Sequence, residues 1–435
     1  MRHEYKKTLV DIDPRLAKRY QQLVTEHLNS TDTLSAGLRS LPNKSTSFAS
    51  TQAAWRFYKN DSVSLTKLHE PLLIAAHEGV AQQCAQYALC VHDWSRLNYR
   101  KHVSKLDKYQ ITHDTDVGYD LQSSIILSDQ TGQPIAPVAQ RLVTANGSYA
   151  TYLEDTFTET IENHLDEVTY CISQLEQQDF DKPLVHIIDR EADSVGHIRQ
   201  WEITSCLWLT RAKKTPFIEF KGQSMPGSEV AEALHFEKVR IVDYHGKQQW
   251  QWIAETPVRL TRDAKPSQKK HKKPSVPGDP IDARLVVSRI LSKEGEILAE
   301  WLLITNVMTV DASEIALWYY WRWQIECFFK LLKKAGHDLE SWQQETGLAI
   351  AKRLLVVSMA CVVVWEIAAA KGEKAEDLRT FLIKLSGRQM KWGKSFTNPA
   401  LLAGLWIFLS MQEILDSYSP EEIAALQKTA RDFLI

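Results

Sequence analysis

The spacing of apolar positions changes period several times along the chain. RLAKRYQQLVTEHL at residues 15–28 repeats apolar positions at helical intervals, and a Ser/Thr-rich link, NKSTSFASTQ, leads into AAWRFYKND. From about residue 85 the texture becomes strand-like. YALCVHD is a short apolar run ending in Asp93, followed by GYDLQSSIILSD and PIAPVAQRLVT as further strands. YLEDTFTETIENHLDEVTYCISQLEQQ then reads as a helical stretch. KPLVHIID is a second buried strand ending in an Asp, Asp189, before a helix in SVGHIRQWEIT and a strand in SCLWLTR. Strands followed by a helix and a further strand predict an α/β layer.

Residues 213–300 alternate differently. VRIVDY, QQWQWIAETPVRLT and ARLVVSRILS carry the period of an antiparallel sheet, with turn signals at HGK and KEGE. AEWLLITNV closes this region as a strand, and residue 312 onward is helical almost to the end. The pattern divides the chain into a helical segment at 1–70, an α/β segment at 71–372 with a β insertion at about 213–300, and helices at 373–435.

Composition narrows the classes. The chain has 435 residues, 44% hydrophobic and 24% charged, as expected for a globular protein with a large core. A formal net charge of −2 gives no global attraction to a polyanion, so any basic surface is local. Residues 1–70 hold 11 Lys/Arg against 7 Asp/Glu, which suits either a DNA-binding module or a solvated surface. RDAKPSQKKHKKPSVPGDP holds six Lys/Arg and reads as a mobile basic loop, either a phosphate contact or a linker. The N-terminus lacks the apolar stretch of a signal peptide, and the apolar run at 354–365 is too short for a membrane span of roughly 18–20 residues. It is expected as a buried helix in a cytoplasmic protein without a membrane partner.

The six cysteines form no CxxC pair and are expected as reduced, buried thiols. The fourteen histidines lack the spacing of a zinc site, so none is expected. GRQMKWGKS departs from a phosphate-binding loop in its glycine spacing and in the bulk of Trp392.

WYYWRWQIECFFKLLKK at residues 318–334 sets one carboxylate among four cations. At about 100° per residue, with Tyr319 at zero, Arg322 falls near 300°, Lys333 near 320°, Glu326 near 340° and Lys330 near 20°. Most of the remaining arc is apolar. The seam fits a salt-bridged face, or a site where a carboxylate meets a metal and cations meet phosphates. Hard divalent ions take oxygen ligands from several converging carboxylates, and Asp93 and Asp189 at strand ends are the natural companions. Glu191 and Asp193 are nearby alternatives, and Glu191 could instead pair with Arg190.

Tyr319-x2-Arg322-x3-Glu326-x6-Lys333 resembles the Tyr-Arg-Glu-Lys signature of bacterial insertion-sequence transposases. IIDREAD resembles the second acidic motif of that group and VHDWSRLNYR the first. AAWRFYKNDSVS resembles a recurrent segment of its N-terminal domain, although the first 45 or so residues match poorly. The resemblance implies a ribonuclease H-like mixed-sheet core with an antiparallel β insertion, flanked by helical DNA-binding and dimerisation regions. It implies cut-and-paste transposition of double-stranded DNA by a homodimer, with Asp93, Asp189 and Glu326 holding two Mg²⁺ ions, replaceable by Mn²⁺. Tyr319, Arg322, Lys333, Lys330 and Arg56 become candidate DNA contacts. Trp301, on the insertion's last strand, becomes the candidate to stack on a flipped base in a hairpin intermediate, or else an ordinary core Trp. A metal-dependent nuclease that does not join strands, and a catalytically silent DNA-binding relative, are the other readings.

Overall fold

The computed structural model describes residues 12–29, 44–153, 157–158, 164–244, 246–265, 274–390 and 393–432. Three helices come first: α1 (Pro14–Asn29), α2 (Lys44–Lys59) and α3 (Leu65–Gln83). Six strands follow: β1 (Ala88–Asn98), β2 (Tyr109–Gln110), β3 (Val117–Ser128), β4 (Pro134–Thr144), β5 (Gly147–Ala150) and β6 (Phe157–Thr158). Next are α4 (His164–Leu175), β7 (Leu184–Ile188), α5 (Val195–Ile203) and β8 (Leu207–Arg211). The inserted region adds β9 (Phe217–Phe220), β10 (Gln223–Pro226), α6 (Gly227–Glu232), β11 (Glu237–Tyr244), β12 (Lys247–Leu260), β13 (Ile281–Leu291) and β14 (Ile297–Thr305). The chain ends in α7 (Ala312–Trp321), α8 (Trp323–Leu332), α9 (Gly347–Ala369), α10 (Glu373–Ser386), α11 (Asn398–Ser417) and α12 (Pro420–Asp432).

All the described strands join one mixed sheet in the order β10-β9-β12-β13-β14-β8-β7-β1-β3-β4-β5-β6, with β11 on β12 and β2 on β3. β1 runs parallel to β7, and β7 parallel to β8. β3 and β4 continue from β1 as antiparallel neighbours. The inserted strands pair antiparallel, as their alternation predicts, and β14 pairs with β8 to continue the sheet.

One apolar cluster runs from Tyr20 on α1 through Leu68 on α3 and Val91 on β1 to Val357 on α9 and Trp406 on α11. The N-terminal and C-terminal helices therefore share a core. Helix α9 holds the apolar run and is buried almost throughout, as expected. Both α9 and α11 are long and apolar enough to cross a membrane, and 94% of the apolar window of α9 is buried inside the protein. A second cluster, on the side of α4 and α5, includes Val168, Ile188, Trp201, Trp208 and Leu285.

Several expectations are corrected. The Ser/Thr-rich link is helical from Lys44, because Ala54, Phe57 and Tyr58 bury a face against the core and tertiary packing overrides local propensity. Of the stretch expected as one helix from 152, the described residues are helical from His164, while Phe157–Thr158 pairs with β5. The strand expected to end at Asp93 runs on to Asn98, since β3 pairs with it along its full length. The lysine run of the basic loop, residues 266–273, lies outside the described residues, and its flanks are tied by reciprocal hydrogen bonds of 2.8 Å between Ala264 and Val276.

Candidate active site

Alternation along β1 sorts its side chains onto two faces. Leu89, Val91 and Asp93 share one face, and Cys90, His92 and Trp94 the other. The parallel register sets Val91 opposite Ile187, and two further steps along both chains bring Asp93 level with Asp189. Asp189 stands just past the end of β7, where its Oδ1 accepts the Glu191 N–H at 2.7 Å and starts a short 3₁₀ turn. Burial raises the Asp93 carboxyl above its ordinary pKa; Arg322 opposes the rise and the nearby Asp189 adds to it.

The third carboxylate arrives from the helical region. Gly132, in the β3–β4 turn at φ +65°, lets the Trp321 ring pack so closely that a Cβ would stand 2.3 Å from it. That contact holds the end of α7 against the sheet. The helix is interrupted at the single residue Arg322, whose backbone stays in the right-handed helical region, so the helix expected over 318–334 is divided into α7 and α8. At the break, Arg322 Nη1 meets Asp93 Oδ2 at 2.9 Å and Nη2 meets Glu326 Oε1 at 2.6 Å. One guanidinium thus bridges a strand carboxylate and a helix carboxylate. Side-chain exposures of 14%, 19% and 29% for Arg322, Asp93 and Glu326 place the pairs at the edge of solvent.

Tyr319 is nearly buried beside Asp189 and Arg211, and burial pushes its hydroxyl up to about 12. Arg211 ends β8 one residue beyond the Ile188–Thr210 pairing, which makes it level with Asp189. Trp301 on β14 is partly buried with its ring 6.3 Å from Tyr319. Lys333 lies beyond α8 rather than on it. Its ammonium donates to the Arg96 carbonyl at 2.6 Å and stands 3.4 Å from Glu340. The helix ends there because the Leu331 and Lys333 carbonyls accept the N–H groups of His337 and Asp338, closing a turn. Lys330 rests over the Trp323 ring at 4.2 Å.

Asp93, Glu326, Lys330, Lys333 and Lys334 line a cleft of about 570 Å³, with Trp94, Phe329 and Glu340. A second groove of about 420 Å³ shares Lys334 and Glu340 and continues past Arg100, Lys101 and His102. Arg56 is exposed on α2, which packs on α1 and α9, and is not part of this cluster.

The alternatives to Asp189 are occupied elsewhere. Asp193 accepts the Lys213 N–H at 2.6 Å and pairs with Arg262. Glu191 pairs with His164 at 3.2 Å, not with Arg190. His164, at the start of α4, also meets Asp120 Oδ2 at 2.9 Å and stacks on Trp94 at 4.7 Å with 9° between ring planes. Burial works against its charge, but Asp120 and Glu191 hold its pKa up to about 10. His164 therefore ties the segment after Asp189 to β3 and to the residue after Asp93. Beneath it, Trp94 donates to Glu167, whose carboxyl burial raises to about 6 despite Arg141 nearby. Sequence reasoning missed His164, Trp94 and Arg211 as site residues. For Arg211 a signal existed: a cation closing the strand after Asp189.

Histidines and a thiol that are scattered in the sequence come together at one place. Cys90, His92 and His186 gather within 4.8 Å of one another, because strand pairing joins residues far apart in sequence. The cysteines otherwise behave as expected, with all six free and only Cys327 less than buried.

The oxygen donors of Asp93, Asp189 and Glu326 suit a hard divalent ion, and the guanidinium between two of them marks a place where positive charge is stabilised. Residues 85–362 match the model of a family described as "Transposase DDE domain". No curated protein matches the chain. A cryo-EM structure of the piggyBac transposase synaptic complex with hairpin DNA aligns at 11% identity and a TM-score of 0.38, covering 95% of this chain and 74% of that one. By the match over residues 85–362, this chain belongs to the transposase DDE domain family.

Proposed function

We propose that the chain is a DNA transposase that binds element ends, cleaves their phosphodiester bonds with Asp93, Asp189 and Glu326, and joins the freed 3′-hydroxyls to target DNA. The observation that carries this reading is the meeting of Asp93, from mid-strand, with Glu326 through Arg322, beside Asp189, at the wall of a lysine-lined cleft. The order β4-β3-β1-β7-β8, with β1, β7 and β8 parallel, supports a ribonuclease H-like core.

Two Mg²⁺ ions, or Mn²⁺, held by these carboxylates would supply Lewis-acid activation of the attacking and leaving oxygens. The chain's own residues do the rest. Arg322 neutralises Asp93 and Glu326 by standing between them, in the place an ion would take. Lys330, Lys333 and Lys334 hold backbone phosphates, and Tyr319 orients the phosphate nearest Asp189. Trp301, beside Tyr319, is positioned to take a base extruded from a hairpin end. The helical start of the chain, with Arg56 exposed, would contact DNA away from the cut. Exposed Met411, Ile414 and Leu415 on α11 favour dimer contacts there.

The test uses DNA flanking the gene, incubated with the protein and Mg²⁺. Excised ends and joined products are expected, and both should vanish with EDTA. Cutting without joining would make the protein a nuclease; binding without cutting would make it a silent relative.

A further inference from the structure

The strands that carry Asp93 and Asp189 bear a second group of donors on the opposite face of the sheet. Cys90 and His92 alternate in phase on β1, and the register sets His186 of β7 directly beside Cys90. All three side chains are buried under α4, and their ligand atoms lie within 4.8 Å of one another. We propose that Cys90, His92 and His186 bind one zinc ion as a structural site separate from the carboxylate cluster.

Three observations support it. The first is that the outward ring nitrogens are already fixed. His92 Nδ1 meets Ser124 Oγ at 2.7 Å, and His186 Nε2 meets the Glu176 carboxylate at 2.8 Å. Such outer partners orient metal-bound imidazoles and leave the inner nitrogens to face the ion. Here the inner pair, His92 Nε2 and His186 Nδ1, stands 2.9 Å apart. Zinc–nitrogen bonds of about 2.0–2.1 Å in tetrahedral geometry need roughly 3.3 Å between two nitrogens, so the rings must part by about 0.4 Å. That is a small rotation within one rotamer.

The second is charge. A bare dication in this core would be prohibitive, but the Cys90 thiolate and the Glu176 carboxylate together neutralise it. Thiolate binding to zinc displaces the thiol proton, so uptake of the ion releases a proton. The third is donor softness. One thiol and two imidazoles select zinc over magnesium, which keeps the two metal sites chemically distinct. Cys171 on α4, 3.5 Å from the Ser124 Oγ that His92 also meets, is a further thiol for a fourth position. An ion here would lock β1 to β7 beneath both catalytic aspartates.

Without an ion the same groups form a closed hydrogen-bond chain from Gln122 through Ser124, His92 and His186 to Glu176. The experiment separates the two states. Full-length protein is refolded with Zn²⁺, or with Co²⁺ as a spectroscopic probe, then freed of loose metal by gel filtration. A Glu326→Gln background removes binding at the carboxylates. The expected result is one ion per chain, a thiolate-to-cobalt charge-transfer band, and a higher melting temperature than the metal-free protein. Cys90→Ser, of nearly equal size, should still fold but lose the band and the shift. Folded Glu326→Gln protein that retains no zinc and gives no cobalt band would overturn the proposal and leave the hydrogen-bond chain as the resident structure.

Discussion

His164→Gln tests how the site is held, because it removes a charge while keeping a polar side chain of similar reach. In the folded protein His164 has a pKa of about 10 against an ordinary 6.5, despite a burial effect that alone would lower it. Taken whole, a shift of that size corresponds to roughly 5 kcal/mol. The ring is 37% exposed, however, and solvent screens its pairs with Asp120 and Glu191. Exposed pairs contribute up to about 1 kcal/mol each, so about 1–2 kcal/mol is expected. The folded-state pKa is raised, so this stabilisation is fully present below pH 6.5 and is lost as pH rises toward about 10. Urea unfolding at pH 6 should find the variant about 1–2 kcal/mol less stable than the parent, and at pH 10 the two should converge. A stability difference that stays constant across that range would refute the claim that a charged His164 clamps the Asp189 segment.

Other predictions follow from the same geometry. Arg322→Ala leaves Asp93 and Glu326 without their shared cation. Breaking fully buried pairs costs about 3–5 kcal/mol, and these partly exposed ones should cost about 2. Mg²⁺ should raise the variant's melting temperature more than the parent's, and an equal rise would show that Arg322 does not occupy the ion's place. Gly118→Ala puts a Cβ 1.8 Å from the Leu97 carbonyl oxygen, between β3 and β1. A loss of about 2–3 kcal/mol in denaturant unfolding is expected, and an unchanged midpoint would place that strand pair wrongly. Lys333→Ala should weaken DNA binding and flatten its salt dependence by about one counterion, whereas an unaltered slope would remove Lys333 from the phosphate contacts.

Most of the strands were legible because the buried ones are continuous apolar runs and the inserted ones alternate, whereas their order in the sheet was not. The candidate site was legible in part, since strand ends pointed to Asp93 and Asp189 and helical spacing to Arg322 and Glu326, which the structure brings together. What spacing could not give was Asp93 as the second partner of Arg322. The helical wheel sets Arg322 and Glu326 on one seam, and their four-residue spacing pairs them, but only the docking of α8 on β1 brings Asp93 to the same guanidinium. Lys333 left the wheel, drawn off the helix by a turn and by the Arg96 carbonyl. The histidine–thiol cluster and the His164 clamp depend on which strands become neighbours. Cys90 and His186 are 96 positions apart, and only the β1–β7 register makes them adjacent.

The central claim is that Asp93, Asp189 and Glu326 work as one metal-dependent centre for cutting DNA. It is tested most directly by single-turnover cleavage of end-containing DNA by Glu326→Gln at saturating protein, with binding measured in parallel. Removing one of three ligands should slow cleavage by at least about 10³-fold, or roughly 4 kcal/mol of barrier, while DNA affinity stays within a few-fold of the parent. Cleavage at the parental rate would contradict the account.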